Sequence, residues 1–337
     1  MRSELIHKIF STPASQQEPL ILEIFQFQYQ NNPVYKRFCD AIGRSPASVS
    51  RLNELPFLPI RFFKSTEVKT GQFEPELWFE SSGTTGQVNS RHYIRNLALY
   101  RESFTRCFHQ FYGAPEDWCI LGLLPAYLER QHSSLVRMVK ELIELSGHPA
   151  GGFYLYNHEQ LQQTLVALQE KGQKTLLFGV SFALLDFAET YSIPLPTTTI
   201  IETGGMKGRR QEITRQALHE KLAASFPGCQ IHSEYGMTEL LSQAYCGDDG
   251  LFYCPPWMKI LLREEDDPFH ILPLPGAGKN NKALTINGII NVIDLANLDS
   301  CCFIATDDMG KIYPDGGFEV VGRVDNSDIR GCSLLTI

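Results

Sequence analysis

The sequence predicts an α/β protein in which parallel strands are joined by crossover helices and a β-rich part follows. Apolar runs of strand length at Cys119 to Leu124, Thr175 to Val180 and Thr198 to Glu202 are separated by stretches whose apolar residues recur at three- and four-residue intervals. That alternation is the pattern of crossover-connected sheets. Glycine pairs and hydroxyl-rich stretches follow several strand candidates, where open α/β sheets carry their functional loops. Beyond Glu239 the apolar pieces become shorter and are broken by Pro, Gly and Asn, as a β-rich sub-domain or barrel requires.

From Glu4 to about Ile42, Ile6, Ile9, Phe10, Leu20, Ile24, Phe25, Tyr35 and Phe38 keep helical spacing. Pro56 and Pro59 remove backbone donors from LPFLPIRFFK, residues 55–64, which reads as an extended connector. Leu77 to Glu80 is a short strand candidate, a loop of small residues follows, and Leu97 to Phe111 resumes helical spacing. Strand, loop, helix is the order in which a phosphate site is built. Helical patterns at Ser134 to Leu145 and Glu159 to Glu170 separate the next strands. Thr198 to Glu202 runs into Gly204 and Gly205, a helix is expected over Arg209 to Phe226, and Gln230 to His232 forms a short strand. The β-like pieces of the last third are Trp257 to Leu262, Gly288 to Asp294, Cys302 to Thr306 and Phe318 to Gly322.

Composition removes several classes of function. With 43% hydrophobic and 20% charged residues the chain can bury a core, which excludes global disorder. Its 30 Lys plus Arg against 38 Asp plus Glu give a net charge of −8 with no basic run, which argues against a dedicated nucleic-acid binder. The most apolar stretch, Thr175 to Ala188, is interrupted by Gly179, Ser181 and Asp186 and is shorter than the roughly 20 residues of a membrane span. The N-terminus carries Glu4 and no continuous apolar core, unlike a secretory signal, so a cytoplasmic location is expected. Nine scattered cysteines, an odd number, point to reduced thiols instead of a disulfide framework.

Three stretches carry chemistry. Ser81-Ser82-Gly83-Thr84-Thr85-Gly86 combines two glycines, which let backbone amides approach an anion, with four hydroxyls that can donate to phosphate oxygens. It suits a nucleoside triphosphate without being a Walker loop, since no Gly-Lys-Ser/Thr follows; a solvated turn is the alternative. Tyr235-Gly236-Met237-Thr238-Glu239 places a ring, a tight turn, a hydroxyl and a carboxylate within five residues, a set suited to base stacking, phosphate contact and divalent-cation binding. A strand-to-helix cap accounts for the same residues. Thr306-Asp307-Asp308, followed by Gly322-Arg323-Val324-Asp325, offers a carboxylate at a strand end for ribose hydroxyls and an arginine for ribose or phosphate, or two charged surface turns.

Taken in order, SSGTTG, TGG, YGMTE, TDD and GRVD resemble the motifs of the adenylate-forming superfamily of acyl-CoA synthetases, peptide-synthetase adenylation domains and luciferases. The likeness runs from about Ser81 to Asp325 and is marked toward the acyl-protein synthetases of bacterial bioluminescence and the phenylacetate ligases. The resemblance implies the large-domain architecture of that superfamily, with ATP and Mg²⁺ as cofactors. It implies that Ser81, Ser82, Gly83, Thr84, Thr85 and Gly86 hold the ATP phosphates and that Gly204, Gly205, Tyr235 and Gly236 frame the adenine. Thr238 would meet the α-phosphate or the acyl carboxylate, Glu239 would hold Mg²⁺, and Asp308 with Arg323 would hold the ribose. The chain then divides into an N-terminal helical region (1–70), an α/β nucleotide-binding region (71–240), a β-rich sub-domain (241–325) and a short tail (326–337).

The sequence departs from the superfamily in lacking the middle glycine of the usual Thr-Gly-Asp, and only residues 326–337 follow Asp325. The small C-terminal domain and its lysine are therefore expected to be absent. Lys64 and Lys207 are candidates for the missing cation, against solvated surface lysines; His132 is a candidate neighbour of the acyl carboxylate, against a structural histidine.

In the tail IRGCSLLTI the resemblance implies that Cys332 accepts the acyl group as a thioester. A thiolate attacks an acyl adenylate readily, a terminus can deliver it, and Arg330 favours the thiolate; a small buried cysteine is the alternative. The activity implied is ATP-dependent activation of a carboxylic acid, a fatty acid by resemblance, with transfer to Cys332 and delivery to a partner such as an acyl reductase. Two rivals stay open: a ligase using CoA, a carrier protein or an amine in trans, and an inactive nucleotide-binding scaffold. Cys246, Cys254, Cys301, Cys302 and His232 could form a zinc site only by convergence, since no CxxC spacing is present.

Overall fold

The computed structural model describes residues 1–81, 88–124, 132–205, 210–211, 213–276 and 285–324, and several of its helices start where the sequence offers a capping side chain. Helices α1 (Arg2–Ser11), α2 (Gln17–Asn31) and α3 (Pro33–Ala41) fill the predicted N-terminal stretch. Asn32 caps α3 by accepting from the amides of Val34 and Tyr35, with Pro33 at the first helical position. The connector 55–64 is extended only in part, because β1 (Leu58–Pro59) is followed by a helical turn, α4 (Phe62–Ser65). Past Pro59 no further proline opposes the helical angles that Arg61 adopts.

Strand β2 (Leu77–Glu80) agrees with expectation, but β3 (Arg91–Ile94) stands before α5 (Leu97–Tyr112). β2 and β3 are antiparallel, Leu77 opposite Ile94 and Glu80 opposite Arg91. Strand β3 therefore stands between the hydroxyl-rich segment and α5, which corrects the expected strand, loop, helix order. Four residues of strand beside Asn89 and Ser90 carry too little periodicity to be told from loop.

Next come β4 (Cys119–Leu123), α6 (Ser134–Ser146), β5 (Gly152–Phe153), α7 (His158–Glu170) and β6 (Thr175–Val180). They are followed by α8 (Ser181–Thr190), β7 (Thr198–Thr203), α9 (Arg215–Ser225) and β8 (Gln230–Tyr235). Side-chain oxygens of Ser133, Asn157 and Thr214 cap α6, α7 and α9; the Thr214 cap explains why α9 begins at Arg215 and not at Arg209. The last part holds β9 (Ala244–Cys246), β10 (Phe252–Tyr253), β11 (Met258–Arg263), β12 (Ile286–Asp294), β13 (Phe303–Ile312) and β14 (Phe318–Arg323). Among the described residues no helix is long and apolar enough to cross a membrane.

These elements gather into two compact units. Unit 1 contains the described residues of Met1–Phe104, Met237–Gln243 and Tyr253–Ser327; unit 2 contains those of Thr105–Gly236 and Ala244–Phe252. In unit 2, β5, β4, β6, β7 and β8 lie side by side in that order, all parallel, and β9 adds antiparallel to β8. β4, β6 and β7 are buried along their whole length, the reason they read as continuous apolar runs. The predicted parallel sheet with crossover helices is thus observed.

Unit 1 has an antiparallel sheet in the order β11, β12, β13, β14, with β1 running parallel to β13. Its core centres on Phe303, which stacks on Tyr35 at 5.8 Å and meets Phe25 and Phe57 edge-on. Polar ties join the N-terminal helices to the turn before β13. The Gln28 amide donates to the carbonyls of Asn297 and Leu298 and accepts from the Cys302 amide, and Asn32 donates to the Ser300 carbonyl. Because these groups are buried, each bond satisfies a carbonyl or amide that water cannot reach. Phe303→Ala is expected to lower stability by about 3–5 kcal/mol, read from urea unfolding; a loss below ~1 kcal/mol would show that this cluster is not the core of unit 1.

Candidate active site

The segment Met237–Gln243 of unit 1 contains no helix, which removes the capping explanation of Thr238 and Glu239. Its backbone is held by side chains instead. His92 Nδ1 lies 2.9 Å from the Thr238 carbonyl and donates to it, since a carbonyl can only accept. The Asn297 amide donates to the Glu239 carbonyl at 2.7 Å. The Asp294 carboxylate accepts from the amides of Leu241 and Ser242 and from the Ser242 hydroxyl, at 2.7, 3.0 and 2.6 Å. A hydroxyl relay continues outward, from the Trp257 indole N–H to Ser103 and from Ser103 to Ser242. Glu239 itself is 1% exposed.

His92 sits on β3 and packs edge-on against Phe63. Burial pushes its pKa down to about 4, against the opposing hydrogen bond to Thr238, so it is neutral near pH 7 and keeps the tautomer that donates. His92 thereby ties β3 to Thr238. The Ser81 hydroxyl accepts from the Ser90 amide at 2.9 Å and the Ser81 amide donates to the Ser90 carbonyl, closing the neck of the hairpin. Lys64, on α4, lines a cavity of about 300 Å³ in unit 1 together with Glu67, Glu80, Asn89, Arg91 and Tyr93.

Asp308 and Arg323 are brought together. They face each other across β13 and β14, with Arg323 Nε 3.2 Å from Asp308 Oδ1 and both side chains 6% exposed. The surface-turn alternative is therefore excluded for both. Asp308 lies within β13, not at a strand end as the sequence suggests, because the strand continues through an irregularity of register to Ile312.

The remaining described candidates belong to unit 2. Gly204 and Gly205 follow β7 with φ of +77° and +53°, left-handed angles that glycine adopts without strain. Tyr235 ends β8, is buried, and meets the ring of Phe252 at 6.0 Å. Gly236 follows it. Two buried carboxylates flank these positions. Glu202 accepts from Ser181 and Ser233, and Ser233 accepts from His219. Burial opposes its ionisation, but His219 with the two hydroxyls holds its pKa below the ordinary range. Glu234 accepts from Thr203; burial, with the nearby Glu202 charge, pushes its pKa up to about 7.

His132 precedes Ser133, the cap of α6. Cys301 and Cys302 are buried in unit 1, where burial raises both thiols, and the Cys254 thiol is pushed up to about 12 by burial. Among the described residues no group of three or more His, Cys, Asp or Glu side chains is arranged to hold a metal ion, so the convergence that a zinc site of these cysteines and His232 would need is not found there. Ser82, Gly83, Thr84, Thr85, Gly86, Lys207 and Cys332 lie outside the described residues. His92, Asp294 and Asn297 were not visible as site residues in the sequence, since each acts on a segment far along the chain.

Over residues 10–336 the chain matches the family described as acyl-protein synthetase, LuxE, and it belongs to that family. The resemblance found in the ordered motifs is thereby borne out. The long-chain-fatty-acid–luciferin-component ligase of Vibrio harveyi is 24% identical over 342 residues, covering 94% of this chain and 85% of that protein. The ligase of the same name from Aliivibrio fischeri is 24% identical over 347 residues, covering 94% and 86%. Among solved structures, the O-succinylbenzoate coenzyme A synthetase MenE of Bacillus subtilis, in complex with ATP and magnesium ion, is similar at 14% identity and a TM-score of 0.49. That likeness covers 78% of this chain and 56% of that one.

His92 gives a test of the pinned segment. Its folded pKa, about 4, lies below the usual 6.5, so its contribution to stability is present above pH 6.5 and is lost as pH falls toward 4. His92→Asn, which keeps a donor, should remove a pH-dependent loss on the order of 3 kcal/mol across that window. Identical pH–stability curves for variant and wild type would contradict the burial of a neutral His92.

Proposed function

We propose that the protein is an ATP-dependent acyl-protein synthetase that activates a carboxylic acid as its acyl adenylate and passes the acyl group to a protein thiol, its own Cys332. The observation that carries this reading is the family match over residues 10–336, which spans all the ordered motifs and Cys332. The names of the two bacterial relatives support a long-chain fatty acid as substrate. A partner that takes the acyl group onward, such as an acyl reductase, and a cytoplasmic location complete the proposal.

In this reading a carboxylate oxygen attacks the α-phosphorus of ATP, the bond to the bridging oxygen of the β-phosphate breaks, and pyrophosphate leaves. The Cys332 thiol gives its proton to solvent, its sulfur attacks the acyl carbon, the bond to the phosphate oxygen breaks, and AMP departs from the thioester. The donors of the SSGTTG segment hold the phosphates, Gly204, Gly205, Tyr235 and Gly236 frame the base, and Asp308 with Arg323 binds the ribose. Thr238 faces the reacting carboxylate or α-phosphate. Lys64 or Lys207 supplies the further cation.

The residues suit Mg²⁺. This ion usually takes one or two carboxylates together with phosphate oxygens and is seldom held in an all-protein cage. Glu239 offers one hard oxygen ligand on a pinned backbone, and the described residues contain no fuller cluster. When bound, the ion would neutralise charge on the phosphates. Catalysis is otherwise a matter of donors and charges fixed in advance around a phosphoryl group.

The intact mass of protein incubated with ATP, Mg²⁺ and a panel of carboxylic acids provides the test. The expected result is a hydroxylamine-labile adduct of one acyl group on wild type and none on Cys332→Ser. An adduct that persists in Cys332→Ser would reject the self-acylation, and no adduct with any acid would count against the reading as a whole.

A further inference from the structure

The register of unit 1's sheet contains an unusual step. Ile289 faces Met309 and Asn291 faces Ala305, so Thr306, Asp307 and Asp308 of β13 stand opposite the single residue Ile290 of β12. Such a bulge breaks the ladder, re-aims side chains and leaves backbone groups without strand partners. Two of them, the Ile290 and Thr306 carbonyls, are taken up by a side chain from the strand beyond. Arg263, at the end of β11, reaches across β12: Nη1 donates to the Ile290 carbonyl at 3.1 Å and to Asn291 Oδ1 at 2.6 Å, and Nη2 donates to the Thr306 carbonyl at 2.6 Å. Thr306 closes the bulge from the other side. Its hydroxyl donates to the Ile290 carbonyl and accepts from the Asp308 amide, at 2.8 and 3.1 Å.

This is an uncommon use of an arginine. Among the described residues no carboxylate lies within ion-pair distance of Arg263, and burial pushes its pKa down to about 10 against the charges of Asp307 and Asp308. Its partners are neutral oxygens, and Asn291 turns its oxygen to the guanidinium while its buried Nδ2 has no hydrogen-bond partner among the described residues. Stabilising the sheet does not call for a buried cation, since well-packed apolar residues serve as well. What a guanidinium adds is a planar fork of donors that meets several acceptors in fixed directions.

We propose that Arg263 is a positioning residue: by filling the Thr306–Asp308 bulge it sets the aim of Asp308 toward the hydroxyls of a nucleotide ribose. The inference rests on the reading of Asp308 as the ribose carboxylate. Asp308 is fixed on one side by Arg323 across β14 and on the other by the bulge that Arg263 and Thr306 shape.

The test compares binding of ATP, 2′-deoxy-ATP and 3′-deoxy-ATP to the full-length protein by calorimetry. Wild type is expected to prefer ATP by about tenfold or more, as hydrogen bonds to a charged group allow. Arg263→Met should lose most of that preference, mainly by weakening ATP, with deoxynucleotide affinity changed much less; Arg263→Lys should fall between. Thr306→Val loosens the bulge from its other side and should shift the preference the same way, which keeps the proposal testable if Arg263→Met does not fold. A wild-type preference retained in the folded variants would overturn the role of Arg263. A wild type that binds all three nucleotides alike would overturn it through the ribose reading, a separate failure.

Discussion

In unit 1 the segment that carries the candidate residues Thr238 and Glu239 is held by a buried carboxylate, Asp294, that has no cation within ion-pair distance among the described residues. Burial raises its pKa to about 6, while the Ser242 hydroxyl and the amides of Leu241, Ser242 and Ala296 favour the charged form. It is therefore ionised near neutral pH and is stabilised by four neutral donors. Those donors come from two places: residues 241 and 242, just after Glu239, and Ala296 in the turn that carries Asn297. Asn297 in turn holds the Glu239 carbonyl. One carboxylate thus fixes both the segment that bears Glu239 and the side chain that orients it.

The N-terminal helices brace the same turn. Helices α2 and α3 hold the turn at residues 297–302 through Gln28 and Asn32, and the aromatic cluster around Phe303 makes the docking of those helices favourable by removing apolar surface from water. Unit 2 solves a similar problem differently. There Glu202 is compensated by His219 and two serines, whereas Glu234 is buried, accepts from the Thr203 hydroxyl and has its pKa raised. Both sit at the ends of β7 and β8, next to the Gly204-Gly205 and Tyr235-Gly236 pairs.

The sequence made visible what is local. The buried strands β4, β6 and β7 announce themselves as apolar runs, and the motifs TGG, YGMTE and GRVD fall at the ends of β7, β8 and β14, where small residues gather, whereas TDD lies inside β13. α8 cannot be told from buried strand in the sequence, because Phe182, Leu184, Leu185 and Phe187 are all buried and no polar face marks a helical period. The bulge at Thr306–Asp308 and the roles of His92, Asp294 and Arg263 are contacts between distant parts of the chain; His92 and Thr238 are 146 residues apart. Neither composition nor spacing encodes such a contact. Thr238 and Glu239 could be named from their motif, yet what holds them could be found only in three dimensions.

The central claim is that this chain forms an acyl adenylate, and the exchange of labelled pyrophosphate into ATP tests it without depending on where the acyl group goes afterwards. The account predicts exchange that requires both Mg²⁺ and a carboxylic acid and that falls by about a hundredfold or more in Glu239→Gln. Exchange without acid, or a protein that binds ATP but exchanges with no acid of any chain length, would contradict it.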